Sequence, residues 1–150
     1  MVIGSIQLLL SLKERRRSLP LFIVFLTSTV YVSTSSYITI SRFFAFRDTA
    51  LDLGVFEQGL WSTITFGLLF WNTPELTSHF AVHFDPVLFL LLPFYVFYPS
   101  PSFVLFLQSF LIGFSAIPLF LFAKNELKSD SLSFLTVIIY LLYPPLHGVN

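Results

Sequence analysis

Two stretches of this chain, residues 19–40 and 102–123, each contain 22 consecutive residues without a charge. A helix of that length is about 33 Å long, enough to cross a bilayer core of about 30 Å. Composition agrees, because 55% of the residues are hydrophobic and 11% are charged, whereas soluble domains carry about 25% charged residues. We therefore predict an all-α, polytopic transmembrane protein whose surface contacts membrane lipids.

The apolar runs predict three to four membrane segments. Residues 1–18 form a basic head, and its arginines place the N-terminus in the cytoplasm of a multi-pass cell-membrane protein. Residues 80–98 form a short transmembrane or re-entrant helix; their 19 residues reach about 28 Å, and we favour a crossing. The remaining predicted transmembrane helices are 19–41, 102–123 and 131–146.

Residues 42–79 have mixed polarity and are predicted to form the first outer loop. Apolar residues recur near helical spacing from Leu51 to Ile64. This pattern predicts an amphipathic helix lying in the membrane interface, with Trp61 at headgroup depth. The Asn-Thr-Pro sequence at 72–74 is expected to end it.

Asp52 stands near the start of that helix. Its carboxylate is suited to act as a base towards a hydroxyl, or to bind a divalent cation together with Glu57 or Asp85. The spacing of Thr49 and Asp52 also fits a capping box, in which Asp52 would only stabilise the helix N-terminus. Glu57 and Gln58 are expected to face solvent or lipid headgroups.

His79 and His83 stand four residues apart, and Asp85 follows. On a helix both imidazoles could bind one divalent cation, with Asp85 as a third ligand. Histidines that only hydrogen-bond to headgroups or backbone are the commoner case. In a third interpretation His83 contacts a lipid phosphate, assisted by the dipole of a helix that begins at Pro86.

Several function classes find no support in the sequence. Eight basic and eight acidic residues give a net charge of zero, which argues against a nucleic-acid partner. The absence of cysteine excludes disulfides and thiolate catalysis. A glycine-rich phosphate loop and the motifs of serine hydrolases and zinc proteases are also missing.

Five features together resemble the membrane-protein family known as domain of unknown function 2079. They are the acidic and aromatic stretch 52–61, His-Phe-Asp-Pro at 83–86, Pro-Ser-Pro at 99–101, a proline at 118 and the Tyr-Pro segment 143–150. That family is itself similar to membrane glycosyltransferases of the C fold. In their first outer loop an acidic residue is followed four positions later by an aromatic one, and Asp52 and Phe56 match this pattern.

The resemblance implies that Asp52 is the catalytic base or organises a metal while an acceptor hydroxyl attacks a sugar linked to polyprenyl phosphate. It implies that His83 lies near the donor phosphate or a metal, with Asp85 beside it. Leu53 stands where these transferases usually carry a second acidic residue. The expected supporting residues are Phe56, Glu57, Gln58, Trp61 and His79.

Because such enzymes have many more spans, we expect residues 1–150 to be the N-terminal part of a larger membrane domain. The main alternative is a non-enzymatic membrane subunit or lipid-binding element that assembles with a partner membrane chain. Transport ranks last, since the long apolar runs contain no charged residue.

Overall fold

The computed structural model describes residues 2–47 and 50–143, and the backbone alone for 2–18 and 50–52. Helices account for most of this part of the chain, which confirms the all-α class. The elements in order are α1 (Val2–Phe44), α2 (Ala50–Phe66), β1 (Trp71–Asn72), β2 (Thr77–Ser78), a 3-10 turn (His79–Ala81), α3 (Val87–Tyr95), α4 (Pro101–Leu127) and α5 (Asp130–Leu141).

Within the described residues, two helical stretches are long and apolar enough to cross a membrane, Leu19–Phe44 and Pro101–Leu127. They contain the predicted spans 19–41 and 102–123. α5 has 12 residues and is about 18 Å long, which is shorter than a bilayer core. The end of the predicted helix 131–146 lies outside the described residues.

Residues 80–98 do not form the single helix that we expected. The 3-10 turn and α3 are separated by irregular backbone, and α3 has nine residues, or about 13 Å. The predicted count of three to four membrane segments is therefore not confirmed.

One compact unit contains α1 up to Ser35, α4 from Ser109 onwards, and α5. α1 and α4 pack closely at Gly113, where a Cβ atom would lie 2.5 Å from Val32 Cγ2. Small residues allow membrane helices to approach in this way. The buried core of the unit consists of Val24, Ala116, Phe120, Val137 and Leu141.

Hydroxyl groups in this unit bond within and between helices. The Thr27 and Ser33 hydroxyls donate to carbonyl oxygens one turn earlier in α1, both at 2.9 Å, which satisfies them without water. The Ser115 and Tyr140 hydroxyl oxygens lie 2.6 Å apart and join α4 to α5. These hydroxyls therefore have partners that are compatible with lipid around the helices, whereas the buried Ser28 hydroxyl has none among the described residues.

A second compact unit runs from Ser36 to Gln108. α2 ends at Phe66, and Gly67 takes a left-handed φ of 69°, a common way to end a helix. The core of this unit consists of Leu60, Phe70, Leu88 and Tyr95.

The apolar side of α2 packs against protein. Phe56, Leu60 and Ile64 all contact this second core, where we had predicted the membrane interface as their partner. Trp61 is 41% exposed, and its ring meets that of Phe66 edge-on at 5.0 Å. Hydrophobic spacing predicted the helix, but it did not identify what the helix packs on.

We expect Gly113→Ala to lower the free energy of unfolding by about 1–3 kcal/mol, because the added methyl group overpacks the contact with Val32. Gly54→Ala is the matched control, since its Cβ position has no described atom within 4 Å apart from its chain neighbours and the backbone of its own helix. Unfolding in detergent, followed by circular dichroism, measures both. Val32→Ala should restore part of the loss in Gly113→Ala, and equal stability of the two alanine variants would contradict the packing argument.

Candidate functional site

A short hairpin positions the polar residues of the second unit. Trp71 pairs with Ser78 and Asn72 with Thr77 in antiparallel register. A β-turn joins the strands, with the Leu76 N–H donating to the Thr73 carbonyl at 3.2 Å. Its second residue is a proline, whose fixed φ suits that position. Glu75 is the third residue of the turn.

The hairpin is held on α2 by hydroxyl groups. The buried Ser62 hydroxyl donates to the Trp71 carbonyl at 2.7 Å. The Thr63 hydroxyl accepts from the Phe70 N–H, also at 2.7 Å. These bonds satisfy backbone groups next to the strands, and they fix the hairpin against the helix.

Glu57 and Gln58 contact protein groups, in contrast to the prediction that they face solvent or headgroups. The Tyr95 hydroxyl donates to Glu57 Oε1 at 2.6 Å. The Gln58 amide donates to the Thr73 hydroxyl at 2.8 Å and accepts from the Thr73 N–H at 2.9 Å. Both side chains therefore tie α2 to neighbouring elements.

His79 lies between two carboxylates and is 3% exposed. Its Nδ1 is 3.0 Å from Glu75 Oε1, and its Nε2 is 2.9 Å from Asp85 Oδ2. A neutral imidazole has one N–H, so hydrogen bonds at both nitrogens require an imidazolium or a protonated carboxyl group. The imidazole therefore links Glu75 to Asp85 through a hydrogen bond at each ring nitrogen.

Buried Asn72 completes the surroundings of Glu75. Its amide donates to Glu75 Oε2 at 2.6 Å, and its carbonyl oxygen accepts from the Glu75 N–H at 2.9 Å. Desolvation raises the pKa of Glu75, but hydrogen bonds from Asn72 and His79 and the charges of His79 and His83 together lower that pKa below its ordinary value. Glu75 is thus held as a carboxylate.

An open cleft of about 230 Å³ lies over this cluster. The Phe56 ring meets the His79 ring edge-on at 5.3 Å, and the exposed His83 has its ring 5.2 Å from that of His79. The cleft therefore combines an aromatic wall with titratable groups, which suits a ligand with both apolar and charged parts. It is lined by Val55, Phe56, Glu75, His79, His83 and Asp85.

The structure brings four of the predicted residues to this cleft: Phe56, His79, His83 and Asp85. Trp61 contacts Phe66 and does not line it. Sequence reasoning missed Glu75 and Asn72; the spacing of Glu75 four residues before His79 was the available signal.

Asp52 lies in the first turn of α2, three residues before Val55, and residues at this spacing share one side of a helix. Its side chain lies outside the described residues, as does Thr49, so the capping box and the catalytic role both stay predictions.

The described side chains do not form a metal centre. No group of three His, Asp or Glu residues among them is arranged to hold a metal ion. Both ring nitrogens of His79 face carboxylate oxygens, so neither lone pair is directed at an ion shared with His83. The backbone also differs from the helix that we assumed, because His83 follows the 3-10 turn.

We expect Glu75→Gln to be less stable than the native chain at neutral pH and less sensitive to acid. The lowered pKa means that ionised Glu75 stabilises the fold fully above its ordinary value of 4.5, and that this contribution is lost as the pH falls through the lower folded value. Unfolding temperatures measured in detergent from about pH 7 to about pH 3 test this. Exposed Glu126→Gln should keep the native profile, and parallel profiles for Glu75→Gln and the native chain would refute the argument.

Comparison with known proteins assigns the family. A family model described as a predicted membrane protein, domain of unknown function 2079, matches residues 42–150. Searches of curated proteins and of solved structures gave no match. The matched region contains every residue that lines the cleft, as well as the apolar helix α4. The chain therefore belongs to the membrane-protein family of domain of unknown function 2079.

Proposed function

We propose that this protein is, or is part of, a membrane enzyme that transfers a sugar from a polyprenyl-phosphate donor to an acceptor hydroxyl at the outer membrane face. The observation that carries the proposal is the cleft over Glu75, His79 and Asp85. In the sequence, the residues that line the cleft lie between the two apolar helical stretches. Converging titratable groups beside an aromatic wall are what such a reaction needs.

The reaction replaces one bond to the sugar by another. The acceptor oxygen attacks the anomeric carbon and forms the new C–O bond, while the bond from that carbon to the phosphate oxygen breaks. The electron pair of the broken bond leaves with the phosphate. The proton of the acceptor hydroxyl passes to a carboxylate, which acts as the general base.

Asp52 is our candidate for that base. The assignment comes from the resemblance to C-fold transferases, and the position of Asp52 one turn before Val55 in α2 supports it. Partial removal from water would raise the pKa of a carboxyl group and make it a better base.

His83 is our candidate for the donor phosphate. An imidazolium forms strong charge-assisted hydrogen bonds with phosphate oxygens, and His83 is the exposed histidine of the cleft. Asp85 would repel a phosphate, but its Oδ2 faces His79 at 2.9 Å. We therefore treat His79 as a positioning residue that holds the Asp85 carboxylate by a hydrogen bond.

Asp52→Asn should reduce sugar transfer by about 10²–10⁴-fold, the usual contribution of a general base. The full chain in proteoliposomes is given polyprenyl-phosphate mannose or glucose with a radiolabelled sugar, and membranes lacking this protein supply the acceptor. Glu126→Gln, an exposed carboxylate changed in the same way, should keep full activity. Undiminished transfer by Asp52→Asn would remove Asp52 from the mechanism.

His83→Gln should weaken binding of free polyprenyl phosphate about tenfold or more, because a hydrogen bond to a charged group contributes about 1.5–3 kcal/mol. Equilibrium binding of the fluorescent lipid to proteoliposomes measures the dissociation constant. Polyprenol without phosphate is the control ligand and should bind both proteins equally. An unchanged dissociation constant for the phosphate would exclude His83 as its contact.

The non-enzymatic alternative makes a different prediction for the same assays. A lipid-binding subunit would bind polyprenyl phosphate in a His83-dependent way, but it would transfer no sugar even without any substitution. Restored transfer after addition of a co-purifying membrane chain would support the subunit interpretation.

A further inference from the structure

α3 exposes apolar side chains to its surroundings although it belongs to a packed unit. Leu90 is 68% exposed and Phe97, just beyond the helix, is 85% exposed. A contiguous exposed apolar patch marks contact with a membrane or another protein. Exposed apolar side chains in and beside α3 include Phe84, Val87, Leu90, Phe94, Phe97 and Tyr98.

The opposite side of α3 is fixed to the second unit. Leu88 and Tyr95 are buried in its core, and the Tyr95 hydroxyl bonds to Glu57 in α2. α3 therefore cannot turn its exposed side chains inward without breaking this core. The exposed side chains need a partner from outside the unit.

The sequence around α3 points to lipid as that partner. Residues 86–123 contain no charged side chain, so neither α3 nor the start of α4 offers a charge to water or to a complementary protein surface. Phe103 and Val104, in the first turn of α4, pack against the same core as Leu88. α3 thus lies beside the end of a helix that is long and apolar enough to span a bilayer.

The length of α3 limits its depth. Its nine residues cover about 13 Å, less than half of a hydrocarbon core of about 30 Å. Backbone bonds beyond its end, from Phe97 N to Phe94 O and from Tyr98 N to Tyr95 O at 3.2 Å, continue to satisfy polar groups there. Such internally bonded backbone is a condition for contact with lipid.

We infer that the exposed side of α3 is a docking surface for one leaflet of the bilayer, into which it enters only to the boundary between headgroups and hydrocarbon. Helices that lie at this depth bury Phe and Leu side chains on their apolar side. The inference does not depend on the proposed sugar transfer.

The natural absence of cysteine allows a direct test with single-cysteine variants. Leu90→Cys and Phe97→Cys carry an environment-sensitive fluorophore, and the full chain is reconstituted in phosphatidylcholine vesicles. Leu76→Cys, in the hairpin turn, is the matched control because Leu76 is also a leucine and is 76% exposed. Quenchers are iodide in water and lipids with a nitroxide at a shallow or a deep acyl position.

At positions 90 and 97 we expect blue-shifted emission, strong quenching by the shallow nitroxide and severalfold weaker quenching by iodide than at position 76. Iodide quenching equal to that of position 76 would show water around α3 and overturn the inference. Strongest quenching by the deep nitroxide would overturn it in favour of a crossing. Energy transfer between labelled copies, with no nitroxide quenching, would overturn it in favour of a second copy.

Discussion

The imidazole of His79 joins two parts of the chain. One ring nitrogen faces Glu75 in the hairpin turn, and the other faces Asp85, whose backbone carbonyl accepts from Leu88 N at the start of α3. Without these partners the buried imidazole would lose its hydrogen bonds. This loss would cost more free energy than an exposed ion pair contributes. The positions of the turn, the cleft and the beginning of α3 are therefore coupled through one side chain.

The backbone around Phe70 sets where that imidazole lies. Phe70 is fully buried with a left-handed φ of 47°, a conformation that costs a bulky residue about 1–3 kcal/mol. Its N–H donates to the Thr63 hydroxyl, and its carbonyl accepts from His79 N at 2.8 Å. Its ring lies 5.1 Å from that of Phe89. These contacts offset the strain. The backbone conformation of Phe70 places His79 beside the cleft.

The sequence predicted those features that need no knowledge of tertiary partners. Charge-free stretches predicted the two helices that are long enough to cross a bilayer. The helical spacing of apolar residues predicted α2, but it could not show whether lipid or protein packs on that helix. The apolar composition of residues 80–98 led us to predict a longer, membrane-crossing helix in place of α3. Glu75 was overlooked because it meets His79 only when the β-turn after Asn72 brings the two strands together. Local sequence patterns predict secondary-structure elements, whereas a site formed by a folded turn can be recognised only from its tertiary contacts.

Charge and position together limit what the cleft can bind. The carboxylates of Glu75 and Asp85 both line it, so an anion such as a phosphate needs a hydrogen-bond donor there. The exposed imidazole of His83 then becomes the group best placed for an anion, because that of His79 is already engaged by carboxylates. Asp85 is separated from α3 by Pro86 alone. If α3 lies in one leaflet as we infer, His83 and Asp85 would lie at headgroup depth. The lipid-linked donor of the proposed reaction carries its phosphate at the same depth, so it would reach the cleft without its lipid chain leaving the bilayer.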